Sequence, residues 1–309
     1  MFIATSNQIF EIEENKEPTS PILRFEAEGI VRLERGRDHA AIALEDGRIV
    51  VLANGHTTEL PHGVPEPIEA LAVLDEDPLH LLVGTEGPHI YYLDDSAAPQ
   101  LLDGFESLSC RDQWYTPWGG PAAVRSFARS DDWIYADIHV GSIMRSPDRG
   151  TSWEPVTPDL HADVHQVATA PRAPDRLYAN TADAVYLSED RGSSWHHRSS
   201  GLPERYGRAI AVHPHDPDCL LATISGGPGS NVEGKLFRST DAGCSWTHAT
   251  SGFPPTTRNN IDTFHLTFSP SGTAWTAVEE TLYTSTDKGE TWTTPWQAPS
   301  PIIALATEN

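Results

Sequence analysis

The sequence predicts an all-β chain folded as a seven-bladed β-propeller, with six blades as the alternative. Three observations carry this. First, a stretch of the form S-x-D-x-G-x-[ST]-W occurs four times: SPDRGTSW at 146–153, SEDRGSSW at 188–195, STDAGCSW at 239–246 and STDKGETW at 285–292. Its tryptophans are 42, 51 and 46 residues apart, a period that belongs to solenoids, propellers or arrays. Second, short runs rich in β-branched and aromatic residues recur along the whole chain. Third, each end carries an unmatched strand. FIA at 2–4 reads as a second strand without a first, and PIIALA at 301–306 as a first strand with no blade after it. Pairing the two would close the ring and remove its free sheet edges.

Each part of the repeated stretch has a physical job. Ser and Asp oxygens accept hydrogen bonds from nearby backbone N–H groups and close a turn. Gly supplies the positive φ of a tight hairpin. Trp opens the outgoing strand and offers a large apolar face to a neighbouring sheet. The first half lacks the motif but keeps the strand rhythm, with runs at 2–4, 9–12, 22–25, 30–33, 40–44, 49–52, 68–74, 79–84 and 90–93. Asp46-Gly47 between two of them is a hairpin signal. Residues 13–20 read as a polar turn inside the first blade. First strands are expected to start near Ile30, Ile68, Ala122, Val164, Gly207, Asp262 and Ile302. No composition shift marks an internal boundary, so residues 1–309 are expected to form one domain.

The four stretches resemble the Asp box, or BNR repeat, of sialidase-like β-propellers. That superfamily includes sialidases and other glycoside hydrolases, sorting-receptor ectodomains of the Vps10 kind, and photosystem II assembly factors. The resemblance covers roughly residues 120–295 by motif. It implies a box at the turn between the third and fourth strands of each blade, on the face away from the ligand site. The boxes are therefore structural, and the fold alone does not fix a function. The F/Y-R-I-P stretch that sialidases carry near the first blade is absent; the early strands read FIATSNQIFEI and RFEAEGIVRL. Sialidase activity proper, with a Tyr/Glu pair drawn from Tyr206 and Glu204 or Glu279, is not expected.

Composition narrows the partners. The net charge is −23, and three lysines stand against eighteen arginines. An acidic, lysine-poor surface suits a medium whose salt screens self-repulsion, and points to a halophilic source. It argues against nucleic-acid binding, which needs a basic face. Cys110, Cys219 and Cys244 are odd in number and far apart, so no disulfide framework or C-x-x-C metal pair is expected. The N-terminal stretch lacks a basic and an apolar region of the leader type, and no 18-residue apolar run occurs. A cytoplasmic protein that neither enters a membrane nor carries a cofactor is the expectation.

In a propeller the loop leading into each first strand and the turn between second and third strands share one face. Polar residues at those positions are the site candidates. The loop CRDQWYTPWGGP at 110–121 brings Trp114 and Trp118 to that rim, either as part of a ligand wall or as a plug for the channel end. Arg125 follows, then Asp137 and His139, then His161, Asp163 and His165. Tyr206 and Arg208 open the next blade, with Arg258, Asn259, Asn260, Asp262 and His265 beyond. Aligning Ala170-Pro171 with Ser269-Pro270 sets Asp163 opposite Asp262. Both aspartates then lie at the channel mouth, as turn caps or as site groups.

The catalytic candidates are Asp163, Asp262, His165 and His139, with Glu279 as a further acid. The binding candidates are Arg125, Arg208, Trp114, Trp118 and Asn260. The arginines would hold a carboxylate or pair with the aspartates. His139, His165 and His265 lack the short spacing of a metal site, and no metal is assigned. The reading is a small polar or anionic ligand on the face opposite the boxes, with glycoside-hydrolase-like chemistry if the carboxylates act as acid and base. The alternative is a non-catalytic binding or assembly scaffold of the photosystem-assembly kind, with a protein partner.

Overall fold

The computed structural model describes residues 1–13, 21–95 and 97–308. The polar turn expected at 13–20 falls, beyond Glu13, outside the described residues. Seven four-stranded antiparallel sheets form the propeller. Blade 1 joins Ile302–Ala306 to Phe2–Thr5, Gln8–Glu11 and Ile22–Glu26. Blades 2 and 3 start at Ile30–Arg35 and Ile68–Glu76. Blades 4 to 7 start at Val124–Ser130, Val164–Thr169, Tyr206–His213 and Leu266–Phe268. The last of these begins later than the sequence suggests, because 258–265 run as irregular backbone before pairing starts.

The ring closes as the unmatched end strands require. Phe2 stands opposite Ala306, Ile3 opposite Leu305 and Ala4 opposite Ala304. Ile3 and Ala4 are fully buried, so the closing strands are sealed into the core. The core itself is divided into clusters between neighbouring blades.

The box tryptophans fill these inter-blade gaps. Trp153, Trp195, Trp246 and Trp292 are all buried. Trp153 meets Phe105 of the preceding connection edge-on, with ring centroids 5.4 Å apart. Trp246 donates from its indole to the carbonyl of Arg198 in the preceding blade at 2.9 Å. Losing a buried Trp of this kind costs about 3–5 kcal/mol.

The box turns share one hydrogen-bond pattern. In the first, Ser146 Oγ donates to Asp148 Oδ1 at 2.9 Å and accepts from Gly150 N at 2.8 Å. Asp148 Oδ1 also accepts from Ser152 N at 2.8 Å, and its Oδ2 from the Ser152 hydroxyl at 2.7 Å. The last box repeats this at Asp287. There, burial pushes the carboxyl pKa up. The Thr291 hydroxyl and N–H, with Ser285, outweigh it and hold the pKa at about 2. The aspartates thus act as turn-closing acceptors.

Candidate ligand site at the channel mouth

On the face opposite the boxes, a cavity of 520 Å³ opens among the inner strands. First strands and the loops before them supply its polar wall. Blades 2, 4 and 6 contribute Arg32, Arg125 and Arg208, and the irregular stretch before blade 7 contributes Arg258, Asn260 and Asp262. Its apolar wall includes Phe264, Val278 and Ile303.

Two of the arginines are neutralised within the ring. Arg208 donates from Nε to Asp262 Oδ1 at 2.6 Å. Arg32 donates to the Glu69 carboxylate, and its guanidinium lies 5.7 Å from the centre of the Phe264 ring. Arg258 donates to the amide oxygen of Asn231 at 2.9 Å. Arg125 differs: its Nη1 is buried and has no hydrogen-bond partner. Burial, and after it the charge of Arg208, lowers the pKa of Arg125 below the ordinary guanidinium value. A guanidinium starts so high that it stays charged through this.

Beside Arg125 lies a second cluster. His165 is fully buried, and its Nδ1 donates to the Gly207 carbonyl. Its Nε2 is 3.3 Å from Asp163 Oδ1, and His139 Nε2 is 3.9 Å from the same oxygen. Burial raises the Asp163 pKa, but His165, His139 and Arg125 outweigh it, so the carboxyl is held low and ionised. Burial lowers His165, and burial followed by the Arg125 charge lowers His139 to about 4. The Tyr206 ring covers His165 at 4.7 Å, and Trp118, 71% exposed, stands 4.8 Å from His139 at the rim.

The expected residues thus separate into three groups. Arg125, Arg208, Asn260 and Asp262 line the cavity. Asp163, His165, His139 and Trp118 form the adjoining cluster and are not among its lining residues. Trp114 is half-buried rather than open to the ligand side. It packs on Phe105 at 5.6 Å and under Arg111 at 5.2 Å, because the short helical turns at 103–113 fold it back into the gap between blades 3 and 4. Glu204, one of the two acids considered beside Tyr206, is drawn off to Lys235 at 2.9 Å.

Counted back from Val167 opposite Ala179 and Leu266 opposite Thr276, Asp163 and Asp262 share an offset, but Asp262 lies in irregular backbone before its strand begins. Their partners differ, and only Asp262 reaches the cavity. One residue that the sequence placed on this face was given no role there. Asp137 is fully buried under Arg125, accepts from the Ser126 hydroxyl through Oδ1, and leaves Oδ2 without a partner. Burial outweighs Ser126 and Arg125 and raises its pKa to about 7. The signal was there: an acid at an alternating position within the apolar strand WIYADI. Among the described residues no group of three or more His, Cys, Asp and Glu side chains could hold a metal ion. None of the described helices is long and apolar enough to cross a membrane.

Comparison with known proteins agrees with this architecture. The chain is a β-propeller repeat protein. Residues 141–253 match the model of the family described as "Sortilin, neurotensin receptor 3". Over 161 residues the chain is 27% identical to a vacuolar protein sorting/targeting protein 10 of Colletotrichum graminicola, covering 46% of this chain and 10% of that protein. Over 146 residues it is 32% identical to a xyloglucanase of Paenibacillus sp, covering 40% of this chain and 14% of the enzyme. The chain therefore spans a small part of the curated relatives it matches. Among solved structures, an ancestral GH74 enzyme superposes with a TM-score of 0.66 at 16% identity, covering 87% of this chain and 39% of that one. YCF48 bound to D1 peptide superposes with a TM-score of 0.60 at 16% identity, covering 86% and 80%. At such identities the likeness is one of fold.

Proposed function

We propose that this propeller is a binding module that takes a small anionic ligand in the channel-mouth cavity. The observation that carries the reading is Arg125. It lines the cavity, it is charged, and its buried Nη1 has no partner. In a chain of net charge −23, an arginine that makes no direct ion pair, beside the paired Arg208 and Arg32, is a specific attraction for an anion. The neighbouring pairs Arg208–Asp262 and Arg32–Glu69 hold the wall in place and contribute less charge.

The xyloglucanase similarity favours a second reading, glycoside hydrolysis. That chemistry needs one carboxyl kept protonated beside one kept ionised. Asp262 is tied to Arg208, Asp163 is held ionised, and Asp137, whose pKa is raised, is sealed in the core. The binding reading accounts for these groups better. The experiment is a thermal-shift series at fixed ionic strength with acetate, phosphate and xyloglucan oligosaccharides, on the parent and Arg125→Met. The binding reading expects anions to stabilise the parent and not the variant. Release of reducing sugar from xyloglucan, abolished by Asp163→Asn or Asp262→Asn, would replace it with the hydrolase reading.

A further inference from the structure

The cavity also carries an unmatched negative charge. Glu279 lies at the turn between the second and third strands of blade 7, and this exposed residue lines the same space. Among the described residues it makes no ion pair, and its backbone carbonyl is already used by the N–H of Ile302 at 2.8 Å. Asp262 spends Oδ1 on both Arg208 contacts, which leaves its other oxygen open on a side chain 45% exposed. So the lining includes a guanidinium without a direct ion pair, that of Arg125, and carboxylates with oxygens to spare at Glu279 and Asp262. The same lining includes Phe264, Val278 and Ile303, all half-buried apolar groups.

We infer that the cavity takes a free α-amino acid with an apolar side chain. This rests on the anion-binding reading above and names its ligand class. The carboxylate would meet Arg125, as planar guanidinium and carboxylate groups match. The α-ammonium would meet Glu279 and the open oxygen of Asp262, and the side chain would cover the apolar wall. A simple carboxylate leaves Glu279 facing the ligand without a donor. A polyphosphate is repelled by Glu279 and by Asp262. A peptide carboxyl terminus presents a neutral amide where the cavity holds an anion. The volume, 520 Å³, lies within the range of small-molecule sites, roughly 300–1,000 Å³.

The experiment is calorimetric titration of the full chain at fixed potassium chloride with L-leucine, N-acetyl-L-leucine and L-leucinamide. The parent, Glu279→Gln and Arg125→Met are compared, each first shown by its melt to be folded. Leucine is expected to bind the parent. Each blocked form is expected to bind at least about tenfold more weakly, the loss of one charge-assisted contact. Glu279→Gln should bring leucine down to the level of N-acetyl-leucine. If the parent binds N-acetyl-leucine as tightly as leucine, the amino-acid inference falls and the anion site stands. If leucinamide binds as tightly as leucine, or neither carboxylate-bearing probe binds, both readings fall.

Discussion

Arg208 reaches from the first strand of blade 6 to Asp262 before blade 7, with Nε donating to Oδ1 at 2.6 Å, while Arg125 on the same cavity is left unpaired. The pair fixes one wall of the cavity and sets which arginine is available. Asp262→Asn should weaken that link and cost about 1 kcal/mol or less, since Asp262 is well exposed. It should also free a second guanidinium and tighten the binding of simple carboxylates such as acetate. Chemical denaturation and titration of one variant read both effects. Unchanged or weaker acetate binding would mean that Arg208 does not face the ligand.

Gly207 is a second fixed point. Its carbonyl accepts from His165 Nδ1, and a Cβ placed on it would fall 1.7 Å from Asn180 Oδ1. Asn180 cannot yield easily, because its amide donates to Ala209 O at 2.8 Å and Thr223 O at 3.1 Å. Gly207→Ala should therefore destabilise by about 2–3 kcal/mol, the cost of overpacking a filled site. A denaturation midpoint equal to the parent's would show that this contact is soft.

The buried ionisable groups predict a two-sided response to acid. His139 has a folded pKa of about 4 against an ordinary 6.5. Between those values the unfolded chain binds the proton first, so this residue makes stability fall as pH drops. His165 and His265, also lowered by burial, act in the same sense. Asp137 acts oppositely. Its folded pKa of about 7 lies above the ordinary 3.8, so between these the folded state holds the extra proton and acid favours folding. His139→Gln should flatten the loss of stability from pH 6.5 to 4, and Asp137→Asn should steepen it. Urea titrations at stepped pH check both slopes.

Ring closure gives a test of the fold itself. Removing residues 300–309 deletes the strand paired with Phe2–Thr5 and exposes Ile3, which is now fully buried. The truncated chain should lose its cooperative melt and its solubility. A melt like that of the parent would mean that closure contributes little.

Much of the fold was legible because it is written locally. The box turns follow from Ser, Asp and Gly at fixed offsets, and the closing strand from a run with no blade to join. The structure adds that the residue before each box glycine is also left-handed: φ is 59° at Arg149 and Arg191, 57° at Ala242 and 60° at Lys288. The site was less legible, because it depends on which side chain each polar group finds across a blade boundary. Arg125 and Arg208 are alike in sequence, yet one is paired and the other is not. Asp163 and Asp262 share an offset in the sequence, yet one turns to histidines and the other to an arginine. Trp114 and Trp118 sit in one loop, yet only Trp118 is left at the rim, because Phe105 and Arg111 claim the other.

The most direct test of the account is where an anion settles. Crystals of the parent and of Arg125→Met, soaked in potassium bromide, can be compared by anomalous diffraction at the bromine edge. The account predicts a bromide peak in the cavity at the Arg125 guanidinium of the parent, and none at that place in Arg125→Met. A parent cavity without bromide, or a peak there that survives the loss of Arg125, would contradict it.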